Sequence, residues 1–513
     1  MAKRKAVLFI TDCEYGQSNV VLAVAYDLLL RDEVDVHIAS WVGLKPRILQ
    51  LQNQIRQENP TKMVSPVTFH NLPGLSMFES WLNETGYTKS RMCHAPGTKG
   101  AAHLRTLISG LLHAWNPDDY IALYDWCADF AATLDPAVIV LDPFVPAAHD
   151  MCRTVPRNYV VLSPCTLAAG IIPNQPRLAG FWKYPAMSSG LSFPVSWYEI
   201  PKNMLAIFSL IYVTTFDPRI KLLKAARTVH GISGPLPTLT PWIKDVPHLC
   251  PSLPEIDLPM EVPPNITFCG PITLKATPLS RSDPELLTWL EKGPTIMLQL
   301  GTHEQASAEM ARELAGGLRV ILDQQSDIQV LWKLKNAKSL KDTLDEVLGQ
   351  EVKLGRVRIE AWINADPISI LESGHIVCAV HHGGANSFFE VAWAGVPQVV
   401  LGQWYDTYDY ACRAEYLGIG VYGNRSVAPL VDAAEFGQAL TTVVGNQSKS
   451  ANAMEERARS LGEVCKRSGG RALAGDMITK LALGNSGTVF TQIQYWEVEG
   501  DLDMSAHPHL KLL

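Results

Sequence analysis

The residues best equipped for chemistry lie between Trp362 and Thr407, centred on His382-Gly383-Gly384-Ala385-Asn386-Ser387 with Glu390 following. Two glycines between a histidine and short polar residues, at the start of a helical pattern, are the composition of an anion site. Glycine lets an anion approach the backbone, and the free N–H groups and positive dipole end of a helix's first turn face it. His382, Asn386 and Ser387 add side-chain donors, so a diphosphate is the expected ligand. Glu390 falls about two helical turns beyond His382, which suits ribose hydroxyls better than phosphate. A second candidate group lies near the N-terminus, where Glu14, Gly16 and Gln17 follow an apolar run, and a third is Asp142 at the end of Val138-Ile139-Val140-Leu141.

Such residues need strands and helices to hold them. Ala6 to Asp12 reads as a strand, Asn19 to Leu30 has apolar residues at helical spacing, and Val34 to Ser40 alternates like a strand. The theme recurs over Ala137 to Leu141, Ala147 to Cys152 and Tyr159 to Leu162. It starts again at Thr295 to Leu300, Ala308 to Leu322 and Gln329 to Leu334. Arg358 to Ala361, Ile376 to Val380, Asn386 to Trp393 and Gln398 to Leu401 continue it. Alternating strands and helices predict parallel sheets, and 513 residues exceed what one core accommodates. The expected fold is α/β, with two facing Rossmann-like doubly wound domains and a cleft between them. Residues 1–240 are expected to form the first domain, 241–284 a proline-rich connector, 285–483 the second domain and 484–513 a tail. The apolar, less regular stretches Leu51 to Trp126 and Ile171 to Ala226 suit loops and helices lining a pocket for a small apolar ligand.

Several classes are set aside. A net charge of -7 gives no basic face for a nucleic acid. Ten cysteines scattered singly indicate a reducing, cytoplasmic setting rather than a disulfide scaffold. The apolar stretch Met204 to Val213 is about half the ~20 residues a membrane span needs, leaving at most a weak contact with a membrane surface. Gly418-x-Gly420-x-x-Gly423 matches a dinucleotide fingerprint as a string but follows a helical run and opens no helix. His381 and His382 lack a ligand-spaced carboxylate or cysteine, so no metal is expected. Trp362 taken alone would be a core tryptophan.

Taken together, Trp362, the His382 to Ser387 box, Glu390, Gly395-Val396-Pro397 and Asp406 resemble the signature of the family-one, UDP-dependent glycosyltransferases. The likeness extends to Gly301-Thr302, Cys269-Gly270-Pro271 and Gly16, and so runs over most of the chain. It implies the GT-B arrangement, with acceptor in the first domain and donor in the second. It also implies that Trp362 stacks on uracil, that Thr302, His382, Gly384, Asn386 and Ser387 hold the diphosphate, that Glu390 binds the ribose, and that Asp406, with Thr407 beside it, meets the sugar. The family needs no metal or other cofactor and inverts the anomeric centre in a single displacement assisted by a base. The implied activity is transfer of a hexose to a small apolar hydroxylated or carboxylated acceptor, such as a terpenoid, sterol, polyketide or phenol, with no obligate protein partner.

The chain departs from that pattern at the base. Where the family has Gly-His, this sequence reads Gly16-Gln17, and glutamine cannot take a proton. Asp142 could serve as base, Glu14 or His149 could substitute, or the chemistry could be lost, leaving a nucleotide-sugar-binding scaffold. Thr407 replaces the family's glutamine, so a GDP-sugar stays open beside UDP.

Overall fold

The computed structural model describes residues 4–85, 92–155, 157–239, 242–301, 306–445 and 449–484. Two parallel sheets organise the chain. The first has seven strands in the order β3-β2-β1-β4-β5-β6-β7: Lys5–Ile10 (β1), Val34–Ser40 (β2), Thr68–Asn71 (β3), Val138–Leu141 (β4), Tyr159–Leu162 (β5), His248–Cys250 (β6) and Ile266–Phe268 (β7). The second has six, ordered β10-β9-β8-β11-β12-β13: Thr295–Gln299 (β8), Gln329–Lys333 (β9), Val357–Glu360 (β10), Ile376–His381 (β11), Gln398–Val400 (β12) and Gly420–Tyr422 (β13). Helices cover both faces, which is why strands such as Val7-Leu8-Phe9-Ile10 are apolar at every position and buried throughout.

In each sheet the chain runs outward from a central strand, returns, and continues on the other side. β1 lies between β2 and β4, and β8 between β9 and β11. Loops leaving the carboxyl ends of strands on either side of such a reversal diverge and open a crevice between them. The four loops in question carry Asp12 to Glu14, Asp142 to Phe144, Leu300-Gly301 and His382 to Gly384. Glu14, Asp142, Gly301 and His382 to Gly384 therefore sit at the two switch points.

The predicted domain limits need two corrections. The segment read as a connector, 241–284, contains β6 and β7 of the first sheet; strands of three residues are too short to show a period in sequence. The C-terminal helix Arg471–Ala482 leaves the second half and packs on the helix Tyr15–Arg31. Its Ala474, Met477, Ile478 and Leu481 complete the core around Val7, Phe9 and Val24. The two helices approach closely: a Cβ on Gly475 would stand 2.2 Å from Asp27 Oδ2. The chain thus passes between the halves twice, and the passages touch, Gly470 N–H donating to the Cys269 carbonyl at 2.8 Å. The dinucleotide-like string 418–423 turns out to hold β13, an edge strand with no ligand turn.

Candidate active site

A cavity of about 650 Å³ lies between the halves. From the second half it is lined by Trp362, His382, Gly384, Asn386, Ser387, Glu390 and Asp406, and from the first by Glu14, Gln17, Phe78, Met92 and Phe144. Of the expected donor residues, Thr302 lies outside the described residues.

The donor turn is built by steric exclusion. Gly383 adopts φ +90°, and a Cβ there would meet the Thr407 carbonyl at 2.5 Å. Gly384 caps the helix Ala385–Ala394, and a Cβ on it would stand 2.6 Å from His382 Nε2. Only glycines let the chain bring that ring and the helix's first N–H groups to one spot. The preceding histidine is a brace: His381 accepts from Gly383 N–H through Nδ1 at 3.0 Å and donates through Nε2 to Gln398 Oε1 at 2.8 Å. Burial pulls its pKa down to about 4, so it stays neutral. Among the described residues no group of three or more histidines, cysteines or carboxylates could hold a metal ion.

Trp362 is half exposed, and the Lys333 ammonium stands 4.1 Å from its ring centroid, a cation–π contact. Asp366 and Glu390 line the same cavity. Burial, with the Asp366 charge adding to it, pushes the Glu390 carboxyl up to about 8. A carboxyl that holds its proton more tightly folded than unfolded contributes stability that is complete below its ordinary value of 4.5 and erodes as pH climbs through about 8. The melting temperature of the ligand-free protein should therefore fall from about pH 6 to about pH 8, and Glu390→Gln should flatten part of that fall; scanning calorimetry at both pH values checks it.

Asn386 spans the cleft, its amide donating to the Tyr15 carbonyl at 3.1 Å and the Gly16 carbonyl at 3.3 Å. That contact sets the start of helix Tyr15–Arg31, and with it Glu14 and Gln17, against the donor turn. Thr407 does not line the cavity. It is buried, and its hydroxyl accepts from Gln403 and Trp404 N–H at 3.0 Å each while donating to the Trp404 carbonyl, so it ties the loop instead of meeting a sugar. Gln403 and Asp406 on that loop do face the cavity. Burial pushes Asp406 up to about 6.

The same loop is held from the other half. Tyr405 has φ +45°, a left-handed conformation costly for a side chain of its size. Its N–H donates to His94 Nε2 at 3.0 Å, and the other ring nitrogen donates to the Ala95 carbonyl at 2.8 Å. His94 N–H also donates to the Gln403 carbonyl at 3.1 Å, and Tyr408 Oη donates to the His94 carbonyl. A few residues on, Arg413 of helix Thr407–Tyr416 pairs with Asp257 at 3.1 Å, both fully buried.

On the acceptor side, the expected base stands off the cavity wall. Asp142 is buried and absent from the cavity wall. Its Oδ2 accepts from Thr11 Oγ1 at 2.9 Å and Asp12 N–H at 3.1 Å, and its Oδ1 from Phe144 N–H at 2.9 Å. Burial raises it to about 6, but both oxygens are engaged in ordering the β1 and β4 loops. His149, 3.2 Å from the Asp142 carbonyl, is likewise buried off the cavity and pulled down to about 4 by burial. Glu14 and Gln17 do line it. Among the described lining residues, Glu14 is the one carboxylate the first half contributes.

Sequence reasoning missed Arg47, Lys333, Gln403 and Tyr405, all on the cavity wall. Arg47 reaches Ser18 Oγ at 2.7 Å and covers the Tyr15 ring at 4.0 Å. It sits in Leu44-Lys45-Pro46-Arg47, which carries no motif. Gln403 lies inside the signature box, three residues before Asp406, and was legible there.

This cleft between two switch points defines a GT-B glycosyltransferase, and the chain belongs to the family-one glycosyltransferases. Glycosyltransferase sdnJ of Sordaria araneosa is 46% identical over 511 residues, spanning 94% of this chain and 99% of that one. The family description "Erythromycin biosynthesis protein CIII-like, C-terminal domain" matches residues 352–467. Among solved structures, a UDP-glucosyltransferase from Polygonum tinctorium superposes with TM-score 0.62 at 17% identity, covering 94% of this chain and 99% of the other. UGT2 of Phytolacca americana, complexed with UDP-2fluoro-glucose and pterostilbene, gives 0.58 at 15%, covering 91% and 95%. The protein is a glycosyltransferase of the UDP-glycosyltransferase type acting on small molecules. Among the described residues no helix is long and apolar enough to cross a membrane.

Proposed function

We propose that the protein transfers a hexose from a UDP-sugar to a small lipophilic acceptor, with inversion and without a metal ion or other cofactor. One observation carries the reading: a single cavity joins the glycine-built anion turn to an apolar wall of Phe78, Met92 and Phe144, with Glu14 on its first-half side. In this reading Trp362 meets the base, His382, Ser387 and the N–H groups around Gly384 hold the diphosphate, Glu390 the ribose, and Asp406 with Gln403 the sugar. Arg47 and Lys333 supply positive charge from both sides as UDP departs. Glu14 takes the acceptor proton, because it borders the cavity and Asp142 does not.

Mass-spectrometric screening of the purified protein with UDP- and GDP-sugars against hydroxylated metabolites, in EDTA, tests this. A glycoside formed from UDP-sugar supports it, and a strict requirement for an added metal or for GDP overturns the corresponding part. Gln17, standing where the family pattern described above has a histidine, favours a second reading as a non-catalytic nucleotide-sugar binder. UDP binding by calorimetry with no transfer to any acceptor would select that one. In either case His382→Ala should weaken UDP binding by about 1 to 3 kcal/mol, the loss of a hydrogen bond to a charged group. Calorimetric titration of the variant reads it directly.

A further inference from the structure

The helix Ile200–Phe216 is apolar nearly all round, yet only Asn203 and Val213 along its length are buried. Leu205, Phe208, Tyr212 and Phe216, spaced to share one face, are 61%, 53%, 59% and 57% exposed. Just before the helix, Trp197 is 82% exposed with Tyr198 beside it. A contiguous apolar surface of this kind on a water-facing helix marks an interaction site.

Charge indicates what covers it. The chain as a whole is at -7. Between residues 177 and 229, however, every exposed charged residue is a cation: Arg177, Lys202, Lys221 and Lys224. The two acids in that stretch are withdrawn: Glu199 is part-buried, and Asp217 caps the next helix through Arg219 N–H at 2.8 Å. Aromatic and aliphatic side chains on an exposed helical face, flanked by lysines and a Trp-Tyr pair, are the composition of an interfacial helix that lies in an anionic bilayer surface. At 17 residues the helix is too short to span one.

The inner side of the same helix leads to the active site. Leu210 and Val213 pack with Leu104 and Ile108 against Tyr405, and Tyr405 lines the cavity. One apolar path thus runs from the exposed face to the acceptor end of the cleft.

We propose that the face formed by Ile200–Phe216 and Trp197-Tyr198 docks this protein on an anionic lipid surface, from which the apolar acceptor reaches the cavity past Tyr405. The second clause rests on the function proposed above; the first does not. Flotation of the full chain with vesicles of phosphatidylcholine, with and without a third of phosphatidylserine, tests the docking. The chain should float with the anionic vesicles roughly 100-fold more strongly than with the neutral ones, and added salt should reduce that preference. Phe208→Ser/Tyr212→Ser should lower partitioning by at least about tenfold while leaving the melting temperature and turnover of a water-soluble acceptor unchanged, since neither side chain is in the core. The pair Lys202→Glu/Lys221→Glu should abolish the preference for anionic lipid. A chain that stays in the aqueous fraction with both vesicle types overturns the proposal. So does a concentration-dependent dimer that Phe208→Ser dissolves, because a second copy would then be the occupant. Vesicle binding without transfer to any acceptor leaves the docking standing and sinks the function reading instead.

Discussion

Glu14→Gln should slow glycosyl transfer by ~10²- to 10⁴-fold, the usual contribution of a general base, while UDP affinity stays near that of the parent. The carboxylate borders the cavity at the start of helix Tyr15–Arg31, and the carbonyls of the next two residues accept from Asn386 of the donor turn. In the proposed function the acceptor hydroxyl meets the anomeric carbon at that junction, which is where Glu14 would take the proton. The buried Asp12 beneath it, raised to about 7 chiefly by burial, accepts from Glu14 N–H at 2.9 Å and fixes its backbone. Asp142→Asn provides the contrast. It sets an amide donor among three groups that already donate, and should lower the melting temperature more than it lowers kcat. Single-turnover kinetics on both variants decide the assignment. Full turnover in Glu14→Gln beside a well-folded, inactive Asp142→Asn would move the base to Asp142.

Arg413→Ala should cost about 3 to 5 kcal/mol of stability, the range found when one member of a buried ion pair is removed. Asp257 would then keep a charge in the interior with only Ser252 Oγ, Leu258 N–H and Thr166 Oγ1 to stabilise it. Equilibrium denaturation in urea measures the loss. Replacing both partners, Arg413→Met with Asp257→Leu, should recover most of it, because no stranded charge remains. The pair joins the first half to the helix that follows Asp406. The single variant should therefore also raise KM for the donor, which the double variant would show only if the ion pair sets the loop's position.

The donor turn is legible because its glycines are dictated by local sterics, and His382, Gly384, Asn386, Ser387 and Glu390 line the cavity. The strands of both switch points were legible for a related reason, since a strand buried on both faces must be apolar throughout. What escaped depends on contacts between distant parts of the chain. Nothing near Asp142 in sequence says that Thr11 and Asp12 donate to its carboxylate and hold it off the cavity. Thr407 was read by position in a motif, whereas its hydroxyl closes its own loop. β6, β7 and β13, three residues each, are too short for any periodicity. Arg47 and His94 act across the cleft, and no local pattern carries that information.

The return of Arg471–Ala482 to the first half bears on how this protein can be taken apart or recombined. A fragment ending at the proline-rich segment would lack the helix that covers Val7 and Phe9, and would present raw core to solvent. The complementary fragment would carry an unpartnered apolar helix. Neither piece should express as a well-behaved body. A chimaera that exchanges acceptor specificity with a relative should draw the segment after Ser468 from the same parent as the N-terminal half, and place its second junction at the crossing where Gly270 and Gly470 let the two passages slip by each other.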